Sequence, residues 1–285
     1  MITLVENSGP LSANGDTVVY IFTTAPNIGE MVSVMDANWS GDTITSVVDN
    51  AGNTYTERVD QVNTSVRATI WEAPVTATTG TFTVTMTFAS NEDHSGVVAS
   101  WSGLAASPFD TADYLIDSAD AAGLTVGPTA TLAQADELIL TVLGRTSGLS
   151  DSGIVVPTGY TLLGAEQNSS SYIGFGAAYK IVSATTAVSA NWTYTQNGSS
   201  PNVAGIATYK AATGATLEQE GFRWFNDDGD EDASTAAASQ DTNITAPAGE
   251  TRRIRMLLNA TGDPATTQFK LQYRKVGDTP WNDVL

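Results

Sequence analysis

Apolar and polar residues alternate along much of the chain with the two-residue period of a β-strand that buries one face. In the last quarter, the apolar positions of three such runs are Phe222 and Trp224, then Ile254, Met256 and Leu258, then Phe269, Leu271 and Tyr273. Turn-forming residues separate the runs at 227–229, 248–249, 262–264 and 277–278. This pattern predicts a small antiparallel sandwich of Ig-like or fibronectin-like kind.

Residues 1 to 211 contain a weak internal repeat at an offset of 108 residues (179 − 71). The aligned pairs are Trp71 with Tyr179, Val84 with Trp192, Met86 with Tyr194, Val98 with Ile206 and Trp101 with Tyr209. With this offset, segment 70–88 matches segment 178–196 without a gap. Two copies of one strand set predict a duplicated sheet.

Two architectures fit this repeat. Each copy could form its own Ig-sized sandwich, or the copies could interleave into one jelly-roll-like double sheet. The segment that joins them, 107–111, is too short and too poor in Gly and Ser for a linker, which favours the single sandwich. Segment 211–216 is small and turn-prone, so it marks the domain boundary. We therefore predict an all-β chain, with a large jelly-roll-like sandwich over residues 1–211 and a small Ig-like sandwich over residues 212–285.

Composition narrows the classes of function. The 285 residues include no cysteine, which excludes disulfides and thiolate metal sites. The net charge is −19, with five basic and nineteen acidic side chains from residue 1 to 211 and seven and twelve thereafter. Because such a surface repels phosphate backbones and anionic lipids, we expect neither a nucleic-acid partner nor a membrane partner. The N-terminal residues lack the features of a secretion signal, and no apolar run is long enough to span a membrane.

Several motifs resemble those of a known protein class. Gln-Glu-Gly-Phe-Arg-Trp at 219–224, Asn-Asp-Asp-Gly at 226–229 and Ala-Thr-Gly-Asp-Pro at 260–264 resemble a small β-module of virion structural proteins of tailed bacteriophages. In the larger part, Ile-Trp-Glu-Ala-Pro at 70–74 and Val-Ala-Gly-Ile-Ala-Thr-Tyr-Lys at 203–210 look like a β-sandwich domain of phage and bacterial surface proteins. The resemblance implies a jelly-roll-like fold, an exposed structural or adhesive role and no catalytic residues.

The residues themselves offer little catalytic chemistry. His94 is the only histidine and lies in a polar stretch, 90–96, that predicts a solvated turn rather than the buried base of a triad. The adjacent acids Glu92 and Asp93, and likewise Asp136 and Glu137, would point to opposite faces of a strand and could not flank one sugar bond. We therefore expect a protein that is not an enzyme.

Three acidic residues form a candidate metal site. Asp228, Asp230 and Asp232 surround Gly229 with alternating oxygen donors, as Ca²⁺ ligation requires. The glycine is misplaced for an EF-hand loop and no bidentate glutamate follows, so an acidic hairpin turn is the simpler interpretation. We expect no other cofactor.

Some aromatic residues are candidates for sugar stacking. Trp39 and Trp281 lie beside turns, where an exposed ring could bind a glycan. Trp71, Trp101 and Trp192 align with large apolar residues of the other copy, so core packing explains those three first.

Basic residues concentrate in the small domain and predict an interface. They are Arg252, Arg253, Arg255, Lys270, Arg274 and Lys275. This charge could dock residues 212–285 onto a particle or a neighbouring copy and leave residues 1–211 outward. The alternative, that these cations neutralise acids of their own domain, carries equal weight because isolated surface pairs contribute little.

Together, these observations favour a non-enzymatic virion structural protein, assembled in the bacterial cytoplasm, and most simply a capsid decoration or cement protein. Its expected partners are capsid or tail subunits, further copies of itself and a host surface glycan. A tail-associated fibre or adhesin module and a lectin-like carbohydrate-binding surface protein remain the alternatives.

Overall fold

The computed structural model describes residues 1–39, 41–117, 122–146, 152–167, 173–195, 201–213, 216–229, 233–261, 272–273 and 282–283. These residues form strands and turns, and none of them belongs to a helix that could cross a membrane. The chain divides into two compact units, Met1–Ala212 and Thr213–Leu285. The predicted all-β sandwich fold is confirmed.

Each copy of the repeat in the first unit supplies its own set of strands. The first copy contains β1 (Thr3–Asn7), β2 (Leu11–Ile21), β3 (Met31–Trp39), β4 (Ile44–Asp49), β5 (Thr56–Asn63), β6 (Val66–Pro74) and β7 (Thr83–Ser102). The second contains β8 (Leu104–Asp117), β9 (Gly123–Val126), β10 (Glu137–Thr146), β11 (Ser152–Val155), β12 (Thr161–Gln167), β13 (Ile173–Val182), β14 (Ala190–Thr195) and β15 (Asn202–Ala211).

The two copies have the same sheet order. In the first, the five-stranded layer runs β1-β7-β3-β6-β5, and β2 and β4 flank the first part of β7 to make a three-stranded layer. In the second, the layers run β12-β13-β10-β15-β8 and β11-β14-β9. Among the described strands, no sheet mixes the two copies. The duplication is therefore real, but the preference for interleaved copies was wrong, since each copy is a separate sandwich.

Three apolar clusters fill the first unit. Two lie between the layers of each copy, one around Val34 and Met86 and the other around Ile139 and Trp192. The largest, which we call the central cluster, lies between the two five-stranded layers. It includes residues of both copies, among them Met35, Ile70, Trp101, Leu140, Phe175 and Tyr209. The four layers thus stack as 3-5-5-3 strands. Trp101 and Trp192 are fully buried and Trp71 partly, so their assignment to the core is confirmed.

The contact between the two five-stranded layers, which we call the central layer, has approximate two-fold symmetry. Its contacts occur in matched pairs, since β6 packs on β10 as β3 packs on β13, and β5 packs on β15 as β12 packs on β7. The equivalent strands β3 and β10 cross at the axis. Here Ala37 faces its own counterpart, Gly144, with so little room that a Cβ on Gly144 would lie 3.0 Å from the Cβ of Ala37. This is the geometry of a symmetric dimer contained in one chain.

The repeat alignment needs one correction. Between β7 and its counterpart β15 the offset in residue number is 108, as Val98 and Ile206 show. Between β3 and β10, and between β6 and β13, the offset is 107. Trp71 pairs with Val34 and faces the core of the first copy, whereas Tyr179 packs on the central cluster. The counterpart of Trp71 is therefore Ala178, because a slip of one residue moves a strand side chain to the opposite face.

The second unit contains one long strand pair. β16 (Thr216–Asn226) runs antiparallel to β17 (Arg252–Thr261), with Phe222 opposite Met256 and Trp224 opposite Ile254. The predicted strands are therefore present, but Ile254 and Leu258 are exposed, so the described residues do not bury the predicted apolar face of β17. The short strands β18 (Gln272–Tyr273) and β19 (Asn282–Asp283) also pair. Phe269 and Leu271 lie outside the described residues, and the Ig-like assignment stays a prediction.

We expect the substitution Gly144→Val to weaken the first unit. The added side chain would press on Ala37 and on the Arg67 carbonyl oxygen, which a Cβ would approach to 3.1 Å. Overpacking of this kind lowers the free energy of unfolding by about 1–3 kcal/mol, which denaturant titration measures. Gly80 is the matched control, since nothing lies within 4 Å of its Cβ position. Equal losses in Gly80→Val and Gly144→Val would contradict the close approach at the axis.

We expect limited proteolysis near Gly214, which lies outside the described residues, to release two folded fragments. Units with separate cores that meet at a short polar segment usually remain folded after cleavage there. Mass spectrometry and circular dichroism of the separated fragments measure the outcome. Recovery of only one cleavage-resistant species, even after the segment is lengthened, would argue against independent units.

Candidate functional site

Asp228, the described member of the candidate metal site, closes a turn. Its carboxylate accepts hydrogen bonds from the backbone N–H of Thr235, at 3.0 Å, and from the Thr235 hydroxyl. These bonds hold the pKa of Asp228 below its ordinary value. Asp230 and Asp232 lie outside the described residues, and the described residues contain no group of three His, Cys, Asp or Glu placed to hold a metal. The contacts of Asp228 fit an acidic turn, and a Ca²⁺ site stays a prediction.

The described cations of the predicted interface have partners within the second unit. Arg253 donates from Nε to Asp227 Oδ1 at 2.7 Å, and Arg252 pairs with Glu250. The Arg255 guanidinium lies over the Phe225 ring, 4.3 Å from its centroid. Lys270, Arg274 and Lys275 lie outside the described residues. These contacts favour neutralisation within the unit for Arg252 and Arg253, whereas Arg255 stacks on an aromatic ring.

Trp39, one of the two sugar-stacking candidates, ends β3. It is partly buried and packs against the central cluster, so only part of its ring could meet a glycan. Trp281 lies outside the described residues.

The interpretation of His94 as a solvated turn residue was wrong. It lies within β7, is fully buried and stacks on Phe88, with ring centroids 4.6 Å apart. Its Nδ1 is 4.0 Å from Oδ2 of the equally buried Asp36. The polar stretch that suggested a turn stays in the strand because β2 pairs with it, partly through an Asn14–Asp93 side-chain hydrogen bond of 2.9 Å.

Asp36 and His94 belong to a buried polar cluster at one end of the first copy's core. Its members are Tyr20, Asp36, Asn38, Thr69 and His94. Asp36 lies opposite Thr69 on β6, and Asn38 lies opposite His94 on β7. Among the described residues, none of the side-chain polar atoms of these five has a hydrogen-bond partner. Leaving such groups unpaired costs free energy, so the cluster is not explained by stability.

Burial sets the protonation of the cluster. It raises the pKa of Asp36 well above its ordinary value, which the Asn38 amide only partly offsets. It also raises the pKa of Tyr20, with a further contribution from the charge of Asp36. It lowers the pKa of His94 to about 4, although the charge of Asp93 opposes this. His94 is therefore uncharged at neutral pH.

The second copy keeps only part of this polar cluster. By strand register, Leu124, Leu143 and Gly176 take the positions of Tyr20, Asp36 and Thr69. These three residues are apolar, and Trp192 fills the space over Gly176. The positions of Asn38 and His94 hold Arg145 and Asn202, which are polar and buried. The fold therefore accepts apolar residues at three of the five positions.

The two symmetry-related ends of the central layer also carry different side chains. At the closed end, Leu163 and Tyr179 pack with Trp101, whose ring lies 5.0 Å from that of Tyr179. At the open end, the equivalent positions hold Arg58 and Glu72, as the matching bulges of β5 and β12 establish. An ion pair therefore replaces two apolar side chains.

A cleft lies at the open end. From Leu104 to Phe109, β8 advances by five residues, whereas its partner strand β15 advances by only two, from Ala211 to Tyr209. Three residues of β8 (5 − 2) are therefore extra and lie outside the strand pairing. Together with Pro74, they line two adjoining hollows of about 310 and 340 Å³. The first holds Arg58, Glu72, Ser107 and Phe109, and the second is mainly apolar, with Ile28, Met31, Val75 and Leu104. We call this the open-end cleft.

The charge of the cleft centres on Glu72. Arg58 donates to Glu72 Oε1 from Nε at 2.8 Å and also from Nη2, and its guanidinium covers Phe109 at 4.1 Å from the ring centroid. Glu72 Oε2 is buried and has no hydrogen-bond partner among the described residues. Burial raises the pKa of Glu72, and Arg58 opposes this shift. The Tyr209 pKa is raised by burial and by the charge of Glu72.

The polar side chains that line the first hollow are Thr56, Arg58, Glu72 and Ser107, and Arg58 holds Glu72. Of the two acid doublets considered for hydrolysis, Asp136 with Glu137 includes a fully buried member, Glu137, which could not reach a substrate.

Comparisons with known proteins add no assignment, because no family model, no curated protein and no solved structure matches the chain.

We expect Asp36→Asn to stabilise the protein at neutral pH. A carboxyl with a raised folded-state pKa weakens the fold as the pH rises past its unfolded value of about 3.9. Removing it should increase the free energy of unfolding by about 1–3 kcal/mol at pH 7, and the gain should vanish near pH ~3.5. His94 has the opposite effect, because the free energy of unfolding decreases as the pH falls toward the folded-state pKa of His94, about 4. Both proteins contain His94, so this effect cancels when they are compared.

Denaturant titrations from pH 3.5 to 8 measure this difference. Asp16→Asn, at an exposed position on β2, is the control and should change little at any pH. A gain that does not depend on pH would show that folding does not change the protonation of Asp36, and this would contradict the raised pKa.

Proposed function

We propose that the protein is a non-enzymatic structural component of a tailed-phage particle, most simply a capsid decoration or cement protein. The phage assignment depends on the sequence motifs at 219–224, 226–229 and 260–264. The structural observation that supports a building role is the stack of four layers in the first unit, in which three apolar clusters fix two sandwiches against each other. Such a block resists deformation and presents an acidic, soluble surface.

The second unit supplies a surface suited to attachment. On β17, Ile254, Leu257 and Leu258 are 40, 52 and 48 % exposed. Exposed apolar side chains of this size beside cations are typical of protein interfaces. Because Arg252 and Arg253 are already paired with acids, apolar contact more than charge would hold this unit to a particle or to a second copy.

An adhesin or a carbohydrate-binding surface protein is the second candidate. The open-end cleft favours it, since a small concave site with a few polar groups is typical of ligand recognition. Phe109 offers no free ring face there because Arg58 covers it, and this weakens the case for sugar stacking.

Proteomics of purified virions tests the particle assignment. We expect the protein to copurify with particles through a density gradient and to remain after washing. Its absence from intact virions, with recovery as free protein in the lysate, would contradict the assignment to the particle.

Deleting residues 212–285 tests the division of roles. We expect the truncated protein to fold, because the first unit has its own closed core, and to lose most of its occupancy on particles. Quantitative mass spectrometry of particles measures occupancy, with circular dichroism as the folding control. Normal occupancy of the truncated protein would place the particle contact in the first unit.

A further inference from the structure

The two ends of the central layer allow a comparison within one molecule. At the two ends the equivalent pairs β5–β6 and β12–β13 have the same bulge and register, so the ends differ in their side chains and in the path of β8. The closed end is sealed by Leu4, Trp101, Leu163 and Tyr179. The open end carries Arg58, Glu72, Phe109 and Tyr209 and gains three residues in β8. The fold is therefore compatible with a sealed end, and the cleft is an addition to it.

Glu72 is the polar group that the cleft leaves incomplete. Its residue exposure is 3 %, and one of its two oxygens has no partner among the described residues. Structural ion pairs usually satisfy both carboxylate oxygens, since an unpaired buried acceptor is costly. Arg58, with a side-chain exposure of 26 %, donates to Oε1 through both Nε and Nη2. Oε2 therefore keeps its capacity to accept a hydrogen bond from another donor.

We propose that the open-end cleft binds an alkylammonium group, with the ammonium on Glu72 and the chain along the apolar hollow. The head group would donate to Oε2 of Glu72, beside Arg58. The chain would lie on Met31, Val75 and Leu104, which are buried in the hollow's floor. This inference does not depend on the particle assignment.

The charge of the residues that line the cleft favours a ligand with a cationic head group over one with a neutral or anionic head group. Two carboxylates, Glu30 and Glu72, line the joined hollows against one guanidinium. Glu30 is held by Asn27, which donates to it from its backbone N–H at 3.1 Å and its amide at 2.9 Å. The acidic excess of the first unit adds to this local charge and attracts cations.

The apolar hollow selects the chain. Ile28, Met31, Pro74, Val75, Leu104 and Pro108 line it and offer no aromatic face. A volume of about 340 Å³ accommodates a short aliphatic chain, such as that of a free amine or of a lysine side chain from another protein.

Methyl NMR of the full-length protein tests the proposal with three probes of equal length: n-pentylammonium, 1-pentanol and pentanoate. We expect n-pentylammonium to shift the methyl signals of Met31, Val75 and Leu104 saturably, at roughly millimolar concentration for so small a ligand. The Leu163 methyls at the closed end should not shift, and pentanol and pentanoate should bind weakly or not at all. Absence of saturable shifts, or equal binding of either other probe, would overturn the proposal.

Two variants sharpen this test. Glu72→Gln should weaken pentylammonium binding by roughly tenfold or more, because it removes the charge that the head group meets. Ala106→Trp, at an exposed rim position, should block the cleft without touching Glu72 and therefore serves if Glu72→Gln does not fold. Unchanged affinity in the folded variants would contradict the site.

A fourth probe identifies the source of the ammonium. Nα-acetyl-lysine N-methylamide carries the same head and chain on a peptide backbone. Tighter binding of this probe than of n-pentylammonium indicates a lysine from a partner protein. Tighter binding of n-pentylammonium indicates a free amine.

Discussion

The packing of two five-stranded layers face to face is the constraint on which the first unit depends. Each sandwich has its own core, but the inner face of each five-stranded layer is apolar and needs the other copy to cover it. The approach is closest at the symmetry axis, where Ala37 meets Gly144. Larger side chains there would separate the layers and expose both inner faces to water.

The sequence predicted the fold class and the repeat better than it predicted their arrangement. Strand alternation and turn residues are local properties, so the all-β class followed directly. Whether two copies share sheets depends on long-range pairing, which the short joint at 107–111 did not reveal. The error over Tyr179 came from a one-residue difference between strands, since a gap-free alignment hides the face of each side chain.

The polar sites were harder to predict. Asp36 stands within the apolar run of β3, and Glu72 lies between Trp71 and Ala73. Polar residues within apolar runs are a sequence signal for such sites, but the polar neighbours of His94 predict a solvated turn instead. The Arg58–Glu72 pair needs contact between strands and a bulge in β5, neither of which appears in the sequence pattern. For the second unit, half of the proposed interface lies outside the described residues.

The covalent link between the two copies has a consequence for how their contact can change. In a dimer of identical chains, every substitution appears twice, at both ends of the interface, and dilution separates the subunits. A fused pair keeps its halves together at a high effective concentration, so the contact tolerates a weaker end. Each end can also acquire its own residues. An ion pair at one end and an aromatic seal at the other are therefore an asymmetry that a symmetric dimer of identical chains cannot have.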